Sequence, residues 1–171
     1  MKINLFIIGA ILFLSTSLFA QKQGISIGGN VNLPVGEWGD VANIGFGGSA
    51  TYEHPMGKNV LGVLYTGYSY FDGVAEGNSW SMIPLLAGVK YYLSNNQDLY
   101  FGFLLGANFI THDYSNILIT GSDNSAYFSG NVNFGYELKT SENGALDISA
   151  GFMFINQQSF IGVRAAYIFK L

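Results

Sequence analysis

The chain has no cysteine, three prolines, and only seven basic and eleven acidic residues among 171. The absence of cysteine removes the disulfide framework on which small exported domains often depend. Charged residues make up 11% of the sequence, less than half of the usual share of about a quarter. A water-facing surface of ordinary charge density cannot be built from so few ions. Basic residues are the minority and the net charge is -4, so a nucleic-acid surface is excluded. Beyond the first twenty residues, no apolar run reaches the roughly 18 needed for a membrane-spanning helix. What the chain does have is apolar and aromatic mass: 49% hydrophobic residues, 16% aromatic, a mean hydropathy of +0.29, and 23 glycines. Disorder is incompatible with that composition, and the length suits one domain.

The N-terminus reads as an export signal. Lys2 precedes an apolar stretch from Leu5 to Leu14, followed by Ser15-Thr16-Ser17-Leu18-Phe19-Ala20. This order of basic, apolar and small residues is that of a secretory signal peptide. Residues 1–20 are therefore expected to be removed, leaving 21–171 as the mature domain.

The mature sequence alternates. Ile25, Ile27, Val31 and Leu33 share one parity, while Ser26, Gly28, Asn30 and Asn32 share the other. The same period of two, diagnostic of strands, recurs around residues 44–53, 60–71, 80–93, 99–109, 126–138, 146–155 and 161–171. Residues 60–71 are the least regular, because Leu61, Val63 and Tyr65 oppose Val60 and Leu64. Longer connections at 34–43, 72–79 and 112–124 alternate with short turns at 55–59, 94–97 and 140–144. The last connection, Asn156-Gln157-Gln158, is short where a long one is due. Alternating connection lengths predict an eight-stranded, antiparallel, up-and-down arrangement with two unlike ends.

Such a sheet closes either as a soluble cup or as a membrane barrel. The second face decides between them. It carries Gly, Ser, Asn and isolated charges, which fit a narrow interior and would cover a soluble surface poorly. The first face carries more Phe and Leu than that interior could hold. A transmembrane β-barrel is the expected fold, because closure leaves no unpaired sheet edge in hydrocarbon. An even strand number places both termini on one side, and export places that side in the periplasm of an outer-membrane protein. Tyr52, Phe71, Tyr91, Tyr92, Tyr136, Tyr167 and Phe169, near strand ends, are expected to form interfacial girdles.

Two segments carry a family resemblance. Trp80-Ser81-Met82-Ile83-Pro84-Leu85-Leu86-Ala87-Gly88-Val89-Lys90-Tyr91-Tyr92-Leu93 resembles a strand of the outer-membrane β-barrel domain proteins of Bacteroidetes, often labelled porin family proteins. These are similar in size to the OmpA N-terminal barrel and OmpX. Gly162-Val163-Arg164-Ala165-Ala166-Tyr167-Ile168-Phe169-Lys170-Leu171 is similar to their closing strand. There the resemblance implies that Tyr167, Phe169 and Leu171 form the signal read by the barrel-assembly machinery. Outer-membrane lipid and periplasmic chaperones are the other partners expected for an exported barrel. A monomer is expected, and the resemblance implies no cofactor and no activity.

The charged strand residues lie mostly on the small-residue parity: Glu53, Lys90, Glu137, Asp147, Arg164 and Lys170. The first five are expected to form a lumen charge network, with Arg164 pairing to Asp147 or Glu137. Since an eight-stranded interior is barely wide enough for its own side chains, little or no pore activity is expected. The glycine-rich run Gly45–Ala50 lacks the following helix of a nucleotide site. His54 and His112, without cysteine, make a poor metal site. His112, Asp113 and Ser115 cluster at one rim, where a lipid-modifying or proteolytic site is a minor alternative to the expected absence of catalysis. The loop 112–124, with Ile117-Leu118-Ile119-Thr120, could extend strands five and six into an exposed hairpin. A cell-surface binding or adhesion module engaging an extracellular protein partner is therefore the functional alternative to a structural barrel.

Overall fold

The computed structural model describes residues 23–93, 98–115, 120–156 and 158–171. The proposed signal peptide, the 94–97 turn and Ile117-Leu118-Ile119 lie outside these residues. Eight strands follow in chain order: β1 (Gly24–Pro34), β2 (Gly45–Pro55), β3 (Val60–Asp72), β4 (Asn78–Tyr92), β5 (Leu99–Ser115), β6 (Thr120–Ser141), β7 (Gly144–Ile155) and β8 (Phe160–Lys170). Each pairs antiparallel with its neighbours, and β1 pairs with β8 from Gly24↔Lys170 to Pro34↔Phe160, closing the barrel. No helix among the described residues is long and apolar enough to cross a membrane.

Parity sets the two faces. On β1, Ser26, Asn30 and Asn32 are buried, while Ile25, Ile27, Val31 and Leu33 are exposed. The same inversion runs around the barrel: Phe46, Leu85, Phe128, Phe134 and Val163 all point outward, with Phe128 71% exposed. Surface of this kind is far larger than the apolar patches of soluble monomers. It is the lipid face of a membrane-spanning barrel.

β3 departs from this rule. Its inward residues are Leu61, Val63, Tyr65, Ser69 and Phe71, and its outward ones include Leu64, Tyr68 and Tyr70. Both faces are apolar, which explains its irregular alternation. Parity also corrects the girdle. Tyr52, Tyr91, Tyr136, Tyr167 and Phe169 are exposed near the end that carries the termini. Phe71 and Tyr92 are buried in the lumen instead.

The other end differs from the expected pattern of loops. Between β1 and β2, a 3-10 turn (Gly36–Asp40) interrupts the connection. In the expected loop 112–124, the described residues 112–115 and 120–124 continue the β5–β6 ladder to Ser115↔Thr120, the extension of strands five and six that the sequence allowed. β5 thus reaches 17 residues and β6 reaches 22. β4 follows β5 as far as Asn78↔Tyr114, whereas β7 stops pairing with β6 at Ser129↔Ile155. β5 and β6 therefore rise as a flap beyond β7 at the loop end, with Thr120–Phe128 on its open edge.

Candidate functional site

Among the described residues, the buried charges lie in the lumen. Lys90 on β4 donates to Glu53 Oε1 on β2 at 2.9 Å and to Glu137 Oε1 on β6. Glu137 also accepts from the Tyr92 hydroxyl at 2.5 Å. The Lys90 ammonium lies 4.0 Å from the centroid of the Tyr100 ring, so its remaining surface meets an aromatic face. Tyr100 in turn donates to Asp147 Oδ1 at 2.7 Å. The ring of Tyr100 occupies the space that a side chain at its cross-strand partner Gly135 would need. A larger residue there would displace the hydroxyl from Asp147.

One level deeper, Arg164 on β8 donates from Nη1 to Asp147 Oδ2 at 2.9 Å, from Nε to Ser49 Oγ at 2.8 Å, and from Nη2 to Ser26 Oγ at 2.6 Å. Its guanidinium uses three directions of its planar fork. Of the two partners open to Arg164 in the sequence, the structure pairs it with Asp147 and gives Glu137 to Lys90. Two cations thus face three carboxylates, and every one of the five has an opposite charge or a hydroxyl donor within reach. That is the condition under which buried charge is tolerated. Lys170 follows the same parity but lies at the barrel end, half-buried.

Above Arg164 the filling becomes neutral. Asn30 and Asn32 donate to Ser69 Oγ at 3.0 and 2.9 Å, and Asn108 donates to Ser129 Oγ at 3.1 Å. Towards the loop end it becomes apolar. Trp38, carried inward by the 3-10 turn, is 2% exposed and packs 4.5 Å from Phe71 and 5.9 Å from Phe160, centroid to centroid. Met82, Ile110, Met153 and Ile155 complete this plug. The connections over it are tied together: Val35 N–H donates to Ser159 O, Asn43 N–H to Asp72 O, and Val74 N–H to Val41 O.

The lumen holds two small voids, one of about 50 Å³ among Glu53, Lys90 and Asp147 and one of about 60 Å³ beside Asn30, Asn32 and Phe160. Both are lined by Tyr65, Asn133, Ser149 and Arg164. Each has space for a water or two, not for a solute in transit.

The rim residues do not assemble. Consecutive strand residues point to opposite faces, so His112 turns inward to stack on Trp80 at 4.5 Å, while Asp113 and Ser115 are exposed on the outward parity. Ser115 bonds to Thr120 across the hairpin. Among the described residues, no group of three or more His, Asp or Glu side chains is placed to hold a metal. Tyr167 and Phe169 are exposed on the outward face of β8, with Leu171 just past its end.

Known structures share this architecture. Ail, the attachment invasion locus protein of Yersinia pestis, superposes with a TM-score of 0.67 over 88% of this chain and 99% of its own, at 12% identity. The fold is that of the small outer-membrane barrels. Neisserial surface protein A (TM-score 0.63, 10% identity, 87% of this chain and 97% of that one) has it too. So does OprG of Pseudomonas aeruginosa (TM-score 0.55, 12% identity, 88% and 96%). At such identities the likeness is one of fold alone. No family model matches the chain, and no curated protein is similar to it in sequence.

Trp38 is the site residue that sequence reasoning missed. It lies in a connection with neither strand nor helix periodicity. The signal available was a lone Trp between Gly36 and Gly39, in a segment otherwise expected to face water.

Proposed function

We propose that the protein is an integral outer-membrane barrel with a structural, envelope-stabilising role, passing little or no solute and catalysing nothing. The observation that carries this is the double filling of the lumen, ionic at the end bearing the termini and aromatic at the other. The resemblance of its β4 and β8 sequences to the Bacteroidetes family supports placing it among those porin-labelled barrels. In this reading it is a monomer with both termini in the periplasm, delivered by chaperones and folded by the assembly machinery through Tyr167, Phe169 and Leu171. Two measurements test it. The detergent-folded protein should migrate differently on a gel before and after boiling. Reconstituted in a planar bilayer, it should give no stepwise conductance; steady open-channel steps would refute the closed-lumen role.

A second reading is favoured by the raised flap. Thr120–Phe128 offers backbone donors and acceptors that β7 does not meet, over a length of roughly 30 Å. Such an edge suits strand addition by an extracellular protein, and Ail bears attachment and invasion in its name. Deleting residues 112–124 should abolish capture of a surface partner while leaving heat-modifiable migration intact. Unchanged capture would dismiss the flap as the binding element.

A further inference from the structure

The voids inside the barrel are small, but a wider cavity lies outside it. A groove of about 290 Å³ runs along the lipid face of β2, β3 and β4 near the end bearing the termini. Its origin is a gap in the outward side chains. In the cross-strand row His54↔Gly62↔Val89 the middle position is glycine, and in the next row, Tyr52↔Leu64↔Ala87, one flank is alanine. Tyr52 and His54 stack along one wall, with ring centroids 6.3 Å apart, and Met56 and Val89 form the others. The groove is thus an apolar slot with a polar upper wall, where the Tyr52 hydroxyl and His54 Nδ1 lie 3.4 Å apart.

The charges outside the barrel are unequally shared between its two ends. Glu37, Asp40, Asp72, Glu76, Asp113 and Asp123 all lie at the loop end, and no lysine or arginine lies with them in the sequence of those connections. The other end is mixed: Lys58, Lys139 and Lys170 lie there with Asp98 and Glu142, and Lys58 sits in the β2–β3 turn two residues beyond Met56. An anionic headgroup is therefore favoured at the groove's end of the barrel and disfavoured at the opposite one.

We infer that this groove seats one acyl chain of an anionic phospholipid, with Lys58 facing the phosphate of its headgroup. Lipid is the solvent already present at this depth, and the slot left by Gly62 and Ala87 admits a flexible chain against Met56, Leu64 and Val89. The inference rests on the chain spanning a bilayer, and its test separates the two. The full-length mature protein is folded into equimolar phosphatidylcholine and phosphatidylglycerol vesicles with matched chains. It is then extracted in detergent and weighed intact by native mass spectrometry, with gel migration measured on the same sample.

The expected result is one retained phosphatidylglycerol. Gly62→Phe should lose it without changing migration, because a side chain there first meets the flexible Met56 thioether. Lys58→Gln should lower retention about fivefold, the effect of one basic residue at an anionic surface. Ala87→Leu fills the slot from the other strand and should repeat the loss. Equal retention by wild type and Gly62→Phe, equal retention of both lipids, or a heat-modifiable barrel carrying none would overturn the site. Absence of the heat-modifiable band in wild type would overturn the barrel reading and the site with it.

Discussion

The two halves of the lumen are closed by opposite chemistry. At the end bearing the termini, Lys90 lies between Glu53 and Glu137 and Arg164 holds Asp147. At the loop end, Trp38, Phe71 and Phe160 pack as three tilted rings. Ionic closure is specific, because each charge depends on a particular partner, and removing one leaves another buried without its opposite charge. Aromatic closure is tolerant, because neighbouring apolar side chains can partly collapse into a gap. Loss of the cation that two carboxylates share should therefore cost more than loss of one ring from the apolar half.

The largest effect is expected from Lys90→Met, which leaves Glu53 and Glu137 buried without their cation. It should destabilise the folded barrel by about 3–5 kcal/mol, read from urea unfolding in vesicles. The triple variant Lys90→Met, Glu53→Gln, Glu137→Gln should recover most of that loss; if it does not, packing rather than charge governs this half. Trp38→Ala comes next, at about 3 kcal/mol, with no bilayer conductance because the ionic half stays closed. A loss exceeding that of Lys90→Met would invert the comparison. Arg164→Met should cost about 2 kcal/mol, less than Lys90→Met, since Asp147 keeps the Tyr100 hydroxyl. Asp113→Asn and Ser115→Ala lie outside both fillings and should change stability by less than about 0.5 kcal/mol.

Much of this architecture is legible in the sequence, and the reason is local. Strand parity is a property of neighbours along the chain, so β1 and β6 could be oriented from Ser26, Asn30, Asn131 and Asn133 alone. The inward position of Glu53, Lys90, Glu137, Asp147 and Arg164 follows from the same count. Which charge meets which does not, because Lys90 reaches Glu53 and Glu137 across strands far apart in sequence, at a level set by strand stagger. Arg164 and Asp147 were readable as a pair because β7 and β8 are adjacent.

Phe71 and Tyr92 sit near strand ends, as girdle residues do, but parity turns them inward. The rim cluster of His112, Asp113 and Ser115 failed for the same reason: closeness in sequence along a strand separates side chains onto two faces. Trp38 has no periodic context, so nothing short of the closed barrel shows that its ring enters the lumen. The raised flap was only partly legible, since polar residues such as Ser122, Asp123 and Asn124 serve a strand above the membrane as readily as a loop.

A cysteine-free chain offers a direct test of closure. Ser149 lines both small voids of the lumen, and Ser149→Cys changes little in size. In folded, vesicle-embedded protein, a membrane-impermeant maleimide added on both sides should leave this cysteine unmodified, with full labelling after boiling. Rapid labelling of the folded barrel would show an open path to the middle of the lumen and contradict the two-sided closure.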